Sequence, residues 1–318
     1  MNKKIIQLLA GALLMMFYTS CTNEALVEAY SEGIKLHVSS DSSKTRASVD
    51  PGSNAENKIT NIAVWFFQSG AEDSSKPVLY HLESNLDTYS GYDIEFNNQE
   101  LEAAKMSSYG TYDIYVMALP ADKISTVANI TTLKQLKGII HKGDESPNKD
   151  GRPTSPFIMS GQLLKCDFKE SNTAAITLVR VAVKLHFTYT NNTGYALSDT
   201  LITIENDLKN VGIFTPISEK TDMEHFIKSC EVTAGSGIAY INEYLGDTPV
   251  LIKIHAKGEG GEYYDWEVPI LYNGEHKLYR NTSYELHLTL NPYSANAILT
   301  ILPWEYSGKE EVQPVLPE

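Results

Sequence analysis

Apolar and polar residues alternate along many stretches of this chain, and a period of two residues predicts β-strands. Gly33–Ser40 carries Ile34, Leu36 and Val38 on one face, which predicts a strand with one buried face. Ile62–Phe67 is apolar throughout, so we expect this strand to be buried on both faces. Further strands are predicted at Asp93–Phe96, Tyr112–Met117, Val250–Ala256, Tyr264–Ile270, Tyr284–Leu290 and Ile298–Trp304.

Helices are expected to be few and short. Gln99–Lys105 has room for one or two helical turns, and Thr131 or Thr132 can cap a second helix. Leu133, Leu136 and Ile140 fall at helical spacing, so we expect them on the buried face of that second helix.

The longest apolar stretch, Ile176–Phe187, changes its phase partway along. The change near Arg180 predicts either a β-bulge at that point or a strand buried on both sides. Asn191–Gly194 then breaks the pattern, and the domain boundary is expected there. Short strands with little helix predict an all-β fold class, with two tandem β-sandwich domains at 47–189 and 190–318.

The amino terminus has the pattern of a secretory leader. Lys3 and Lys4 precede the apolar run Ile5–Phe17, and the chain becomes polar after Cys21. The run is shorter than the roughly 20 residues that a membrane-spanning helix needs.

The end of the leader resembles the lipobox of bacterial lipoproteins, because small residues precede Cys21, although Tyr18 stands where that pattern usually has Leu or Val. The resemblance implies a signal peptide at 1–20 and acylation of the Cys21 thiol. The alternative is a secreted protein whose Cys21 merely lies near a signal-peptidase site.

Charge excludes one class of partner. The chain carries 26 Lys and Arg against 40 Asp and Glu, a net charge of −14. Binding to nucleic acid needs clustered basic residues, so nucleic acid is not an expected partner. Cys166 and Cys230 are too few for a disulfide scaffold; they can pair with each other or remain as buried free thiols.

No arrangement of residues points to catalysis. His186, His255 and His287 occur singly on polar faces of predicted strands, without the spacing of metal ligands. Gly258–Gly261 lies between two strands, where a hairpin turn explains it better than a phosphate-binding loop. No catalytic, cofactor-binding or metal site is predicted, and the chain is not expected to be an enzyme.

The linker Asp41–Asn57 contains almost nothing apolar to bury. In its middle, Lys44 and Arg46 form the kind of exposed basic site that proteases cut, with Ala47 as the next residue. The alternative is an ordinary solvated loop.

Several stretches, taken in order, resemble the Bacteroidales fimbrillins, the type V pilins. The second half is similar to the closing Arg-Asn-x-x-Tyr strand and terminal Pro-Trp of that family, through Leu278–Leu286 and Leu299–Trp304. The stretches that resemble the first domain of the family are Ile62–Phe67, Tyr112–Leu119, Thr132–Leu136, Phe157–Gly161 and Ile176–Lys184.

The resemblance implies a lipoprotein with two transthyretin-like β-sandwich domains and a mode of assembly. An Arg-specific protease removes the leader and the first strand, and the C-terminal strand of another subunit fills the groove. For this chain it implies cleavage between Arg46 and Ala47 and a propeptide, 21–46, that contains the strand Gly33–Ser40. Because this contact runs head to tail without closing, the product is an open filament.

The implied partners are other fimbrial subunits, the outer membrane through the lipid on Cys21 before cleavage, and a host or bacterial surface ligand. The implied location is the cell surface, first anchored in the outer membrane and then in the fimbrium. Two segments are candidates for the donated strand, Ala297–Trp304 and the tail Glu311–Glu318.

Two other functions fit the same sequence. A fimbrial anchor subunit would keep its lipid and its first strand, so cleavage at Arg46 separates it from a stalk or tip subunit. A glycan-binding surface lipoprotein would share the leader and the aromatic content. Such modules commonly present clustered exposed tryptophans, whereas Trp65 and Trp266 lie in apolar strand patterns.

Overall fold

The structure is a computed structural model that describes residues 33–40, 56–106, 110–142, 156–169, 171–215, 225–231, 235–246 and 248–302, with the backbone alone at 225–231. The strands are β1 (Ile34–Ser40), β2 (Ile62–Gln68), β3 (Leu79–Glu83), β4 (Gly91–Phe96), β5 (Thr111–Ala118), β6 (Ile140–Lys142), β7 (Met159–Asp167), β8 (Thr173–Arg180), β9 (Val183–Asn191), β10 (Leu197–Leu208), β11 (Asn210–Gly212), β12 (His225–Glu231), β13 (Ser236–Ile241), β14 (Leu251–Gly258), β15 (Tyr263–Pro269), β16 (Thr282–Asn291) and β17 (Ser294–Leu302). The helices are α1 (Asn98–Ala103), α2 (Ile124–Ala128) and α3 (Leu133–Lys137), with a 3-10 turn at Ala121–Lys123.

The first domain is a sandwich made by one sheet that folds over on itself. Its strand order is β3-β2-β5-β7-β8-β1-β4. β8 pairs with β1 over residues 173–178, but it pairs with β7 only through Val179 and Arg180. Apolar residues of β1, β4 and β8 share one buried cluster with those of β2 and β5. The two halves of the sheet therefore face each other across a common core.

The predicted double burial of Ile62–Phe67 is confirmed in β2, whose first six residues are all buried. One face of the strand enters the core of the sandwich. The other face, which includes Trp65, is covered by the short helices through Val127, Leu133 and Leu136. β2 is thus the middle layer between the sandwich core and a small helical layer.

Thr132 caps α3 as predicted, whereas Ile140 does not belong to its buried face. The Thr132 hydroxyl accepts a hydrogen bond from the Gln135 backbone at 3.3 Å, and the Gln135 side chain accepts one from the Thr132 backbone at 3.2 Å. The helix ends at Lys137, before a glycine, which is a poor helix former. Ile140 lies in β6 opposite Gly212 and is 55% exposed.

The second domain is a sandwich of two four-stranded sheets. Their strand orders are β12-β10-β14-β15 and β13-β9-β16-β17, and one apolar cluster fills the space between them. The predicted hairpin is confirmed as β14 and β15, and its turn uses Gly261 at a φ of 88°, which side chains rarely adopt. The fold class is all-β with two tandem sandwiches and few short helices, as predicted.

The expectations for Ile176–Phe187 and for the domain boundary are wrong. The stretch is not one strand: β8 ends at Arg180 in the first domain, and β9 begins at Val183 in the second. β9 pairs with β13 and β16, so the change of domain comes before the Asn191–Gly194 turn. Val181 and Ala182, which join the strands, are themselves buried, so no polar turn marks the junction.

A buried polar cluster joins the two domains. Glu56 was expected in a solvated linker but is only 2% exposed. Its carboxylate accepts hydrogen bonds from Lys184, at 3.0 Å, and from the Tyr240 hydroxyl, both in the second domain. The buried guanidinium of Arg180 donates to the Glu56 carbonyl at 3.2 Å and to the Asn281 side chain at 2.8 Å. These contacts fix the end of the linker against both domains.

A second ion pair supports the same junction. The Arg280 guanidinium donates to the Glu243 carboxylate at 2.8 Å. It also donates to the carbonyls of Gly212 and Ile213, each at 2.7 Å. Ile213 packs against the outer face of the first domain, so Arg280 connects the second sandwich to a segment that covers the first.

We expect Lys184→Met to lower the free energy of unfolding by about 3–5 kcal/mol, because it leaves the Glu56 carboxylate buried without its cation. The double variant Glu56→Gln/Lys184→Met should lose less, since it removes both charges. Urea titration followed by circular dichroism measures both changes.

The matched control is Lys253→Met, which breaks ion pairs on the sheet surface, where the Lys253 side chain is 42% exposed. Its effect should stay within about 1 kcal/mol. Equal losses for Lys184→Met and Lys253→Met would contradict a structural role for the buried pair.

Candidate functional site

β1 occupies the middle of its half of the sheet. It pairs in parallel with β8, from Lys35 opposite Thr173 onwards, and antiparallel with β4, from Ile34 opposite Phe96. Six residue pairs join it to each neighbour. β4 and β8 do not pair with each other. β1 lies between them and provides the backbone hydrogen-bond partners for the facing edges of both strands.

The predicted apolar face of β1 is confirmed. Ile34, Leu36 and Val38 are at most 1% exposed and belong to the core cluster of the first domain. The strand follows Gly33, where a side chain would place its Cβ 1.8 Å from the Phe96 carbonyl oxygen. Only glycine allows the chain to enter the sheet at this point without displacing β4.

The outer face of β1 carries Lys35 and His37, whose side chains contact carboxylates on β4. The Lys35 ammonium lies 2.9 Å from Asp93 and 3.5 Å from Glu95. The His37 ring lies 2.6 Å from Asp93. Hydrogen bonds from His37 and then Lys35 lower the pKa of the Asp93 carboxyl, and Asp93 in turn raises the pKa of Lys35.

Without β1 the first domain would hold an open groove. The backbone edges of β4 and β8 would lose their partners, and the floor would expose apolar side chains that are now buried, such as Ile94, Phe96, Ile176 and Leu178. An extended segment can bind in such a groove. Its backbone would restore the hydrogen bonds to β4 and β8, and every second side chain would cover the apolar residues of the floor.

The predicted lipidation and cleavage residues lie outside the described part of the chain. These residues are Cys21, Arg46 and Ala47. The ends of the segment that contains Arg46 are both near the domain junction: Ser40 pairs with Leu178, two residues before the Arg180 that binds Glu56.

The predicted C-terminal strand forms β17, an edge strand of the second domain that pairs with β16 along its whole length. Ala297, Leu299 and Ile301 pack against the core of this domain, and Ile298 points outward with 67% exposure. The described part of the first candidate donor segment, Ala297–Trp304, is therefore an edge strand of its own domain in this structure. The tail Glu311–Glu318 lies outside the described residues.

Cys166, His186 and His255 lie on strands of the two sandwiches. Cys166 is a free, half-buried thiol on β7, and burial followed by the nearby Asp167 charge raises its pKa. Cys230 lies on β12, in the second domain. The His255 ring contacts Asp265 at 2.7 Å, and burial lowers the pKa of His186. Across the described ranges, no group of three or more His, Cys, Asp or Glu side chains is placed to hold a metal ion.

Aromatic residues form a column that sequence patterns did not predict. Trp266 is 5% exposed, and Tyr264 stacks on it at 5.7 Å between ring centroids. Tyr195 stacks on Tyr264 at 6.0 Å and is half exposed. Tyr195 comes from the β9–β10 loop, so its sequence position gave no signal.

None of the described helices is long and apolar enough to cross a membrane.

A protein-family model matches this chain. The family model described as major fimbrial subunit protein (FimA) matches residues 34–216, which is more than half of the chain and begins at β1. No curated protein matches the chain in sequence.

Solved structures share the fold at low identity. The tip fimbrial protein Mfa3 from Porphyromonas gingivalis, solved with a C-terminal truncation, is 16% identical, covering 85% of this chain and 99% of its own, with a TM-score of 0.57. A candidate cell adhesion protein from Parabacteroides distasonis is 14% identical, with 88% and 99% covered and a TM-score of 0.62. One from Bacteroides eggerthii is 16% identical, with 86% and 96% covered and a TM-score of 0.56. At these identities the likeness concerns the fold, whereas the family match concerns the sequence from β1 to just beyond β11, and on that match the chain belongs to the major fimbrial subunit protein (FimA) family.

Proposed function

We propose that this pilin-like adhesion subunit is exported as a lipoprotein on Cys21 and prepared for assembly by cleavage between Arg46 and Ala47. As a member of a structural fimbrial family, it interacts with other fimbrial subunits in the cell-surface fimbrium. The finer steps are the release of β1, the filling of its groove by another subunit, and growth of a head-to-tail filament.

The observation that carries the proposal is the position of β1. It is an interior strand that pairs on both sides, yet it is the first described element and precedes a polar segment that contains Arg46. A strand at the edge of a sheet pairs with one neighbour only, so its removal leaves the rest of the hydrogen-bond ladder intact. Loss of β1 would instead open two backbone edges and an apolar floor at once.

The donated segment is proposed to be the tail beyond β17. The apolar face of β17 packs into its own domain, so donating Ala297–Leu302 would expose the core of the second domain. Donation of the tail after Leu302 would leave the pairing of β17 with β16 in place. Since β17 pairs its last residue with Ser283, opposite the start of β9, the tail begins near the domain junction.

A fimbrial anchor subunit is the nearest alternative. Such a subunit would keep β1, and in this structure β1 is paired with both β4 and β8. The glycan-binding lipoprotein is less well supported, since Trp65 and Trp266 are both buried and do not form an exposed tryptophan cluster. A host or bacterial surface molecule is the proposed ligand of the assembled fimbrium.

Cleavage is tested with the Arg46→Ala variant. An Arg-specific protease should cut the parent protein once between β1 and β2 and leave Ala47 as the new amino terminus. The variant should stay uncut there and fail to form filaments, because β1 cannot leave. N-terminal sequencing and electron microscopy give the two results.

Lys44→Ala is the matched control, because it changes a neighbouring basic residue that an Arg-specific protease does not recognise. It should be cut and should assemble normally. Filaments from Arg46→Ala, or surface filaments whose subunits begin elsewhere than Ala47, would show that another bond is processed.

Lipidation is tested with Cys21→Ala, since only the thiol at that position can take the diacylglyceryl group. The variant should lose its partition into the detergent phase and should not mature, while the control Cys166→Ala should behave like the parent protein. Intact mass measures the lipid directly. Normal detergent partition of Cys21→Ala would disprove the lipoprotein assignment.

The tail is tested by deleting Gly308–Glu318. A folded monomer is expected, because β17 ends at Leu302 and the deletion removes none of its pairing. Polymerisation should be abolished, because the tail is the segment that reaches the next subunit. Filaments of normal length in electron micrographs would eliminate the tail as the donor.

A further inference from the structure

The groove that holds β1 has an acidic rim along one side, formed by Asp93 and Glu95 on β4. The two residues are two positions apart in a strand, so their side chains leave the same face of the sheet. They contact the outward-facing side chains of β1 there: the Lys35 ammonium lies 2.9 Å from Asp93 and 3.5 Å from Glu95, and the His37 ring lies 2.6 Å from Asp93. β1 thus supplies positive charge to a rim that is negative by itself.

The opposite side of the groove is neutral. On β8, the residues in register with the outward-facing Lys35 and His37 are Thr173 and Ala175. Within the two described strands that flank β1, the charge that faces its outer side therefore comes from β4. Any strand that replaces β1 meets the same acidic rim, because the rim belongs to the part of the domain that stays.

This chain's own C-terminal segments lack a matching charge pattern. Ser294–Leu302 contains no Lys or Arg, and beyond it Lys309 is the only basic residue, followed directly by Glu310 and Glu311. In β1, Lys35 stands between two apolar residues that enter the core. No basic residue between Ser294 and Glu318 stands between two apolar residues in this way.

We propose that the acidic rim selects a donor strand with Lys or Arg on its outer face, and that this donor comes from a different fimbrial subunit and not from a second copy of this chain. The inference rests on the proposed replacement of β1. It is supported by the net charge of −14, which makes two copies repel each other. The partner is thus a subunit whose donated strand alternates apolar and basic residues.

The selectivity can be measured by peptide exchange on the full chain. A recognition site for a sequence-specific protease replaces Lys44–Ala47, so that the cut does not depend on Arg46. The cut chain is then brought to equilibrium, just below its melting transition, with fluorescent peptides. These are the Gly33–Ser40 peptide, its His37→Lys variant, its Lys35→Glu/His37→Glu variant, and peptides of Ser294–Leu302 and Gly308–Glu318.

The basic peptides should bind about tenfold more tightly than the doubly acidic peptide, which corresponds to about 1.4 kcal/mol. Both C-terminal peptides should also bind more weakly than the basic ones. The preference should shrink in about 1 M salt, where the screening length falls to about 3 Å. In the matched variant Asp93→Lys/Glu95→Lys it should reverse, because the rim then carries the opposite charge.

Each contrary result has its own meaning. Equal binding of basic and acidic peptides would overturn the charge selection and leave strand replacement intact. Binding of either C-terminal peptide as tight as that of the basic peptides would overturn the need for a different subunit. A cut chain that keeps its own strand against every peptide would overturn both this inference and the proposed strand replacement.

Discussion

The first domain depends on the double pairing of β1. Every polar group of a buried backbone needs a hydrogen-bond partner, and the facing edges of β4 and β8 find theirs in this strand. Its three inward residues, Ile34, Leu36 and Val38, also complete the core between the two halves of the sheet. A strand in this position combines two requirements, a ladder on both sides and an apolar floor below, which only another extended segment of similar pattern can satisfy.

The polar cluster at the junction joins the segment before β2 to both domains. Glu56 comes shortly before β2, and its carboxylate is held by Lys184 and Tyr240 of the second domain. Arg180, at the end of β8, binds the backbone of the same residue. Because these contacts begin after Arg46, they belong to the part of the chain that would remain after processing. The end of the linker is a structural element in its own right.

Sequence patterns predicted correctly those elements whose buried face follows from the pattern of apolar and polar residues nearby in the sequence. Gly33–Ser40 and Ile62–Phe67 were predicted with the correct buried faces, and the helix cap was predicted as Thr131 or Thr132, because each of these features depends on neighbours within a few residues. Sequence patterns missed several strands whose pairing partners lie far away in the sequence. β7 and β10 were not predicted, and the segment Phe214–Gly246, which includes β12 and β13, gave no recognisable pattern.

The sequence by itself determined the all-β class and the faces of the main strands, and it placed the strand Gly33–Ser40 before a polar segment that contains Arg46, because these features follow from periodicity and local composition. Only the tertiary structure decided that β1 is an interior strand, that its outward-facing Lys35 and His37 contact Asp93, and that the apolar run around Arg180 divides between two domains. Residues 35 and 93 are far apart along the chain, and a buried junction needs no turn residues to mark it. Register across a sheet and burial at an interface are set by the whole fold, so no local pattern encodes them.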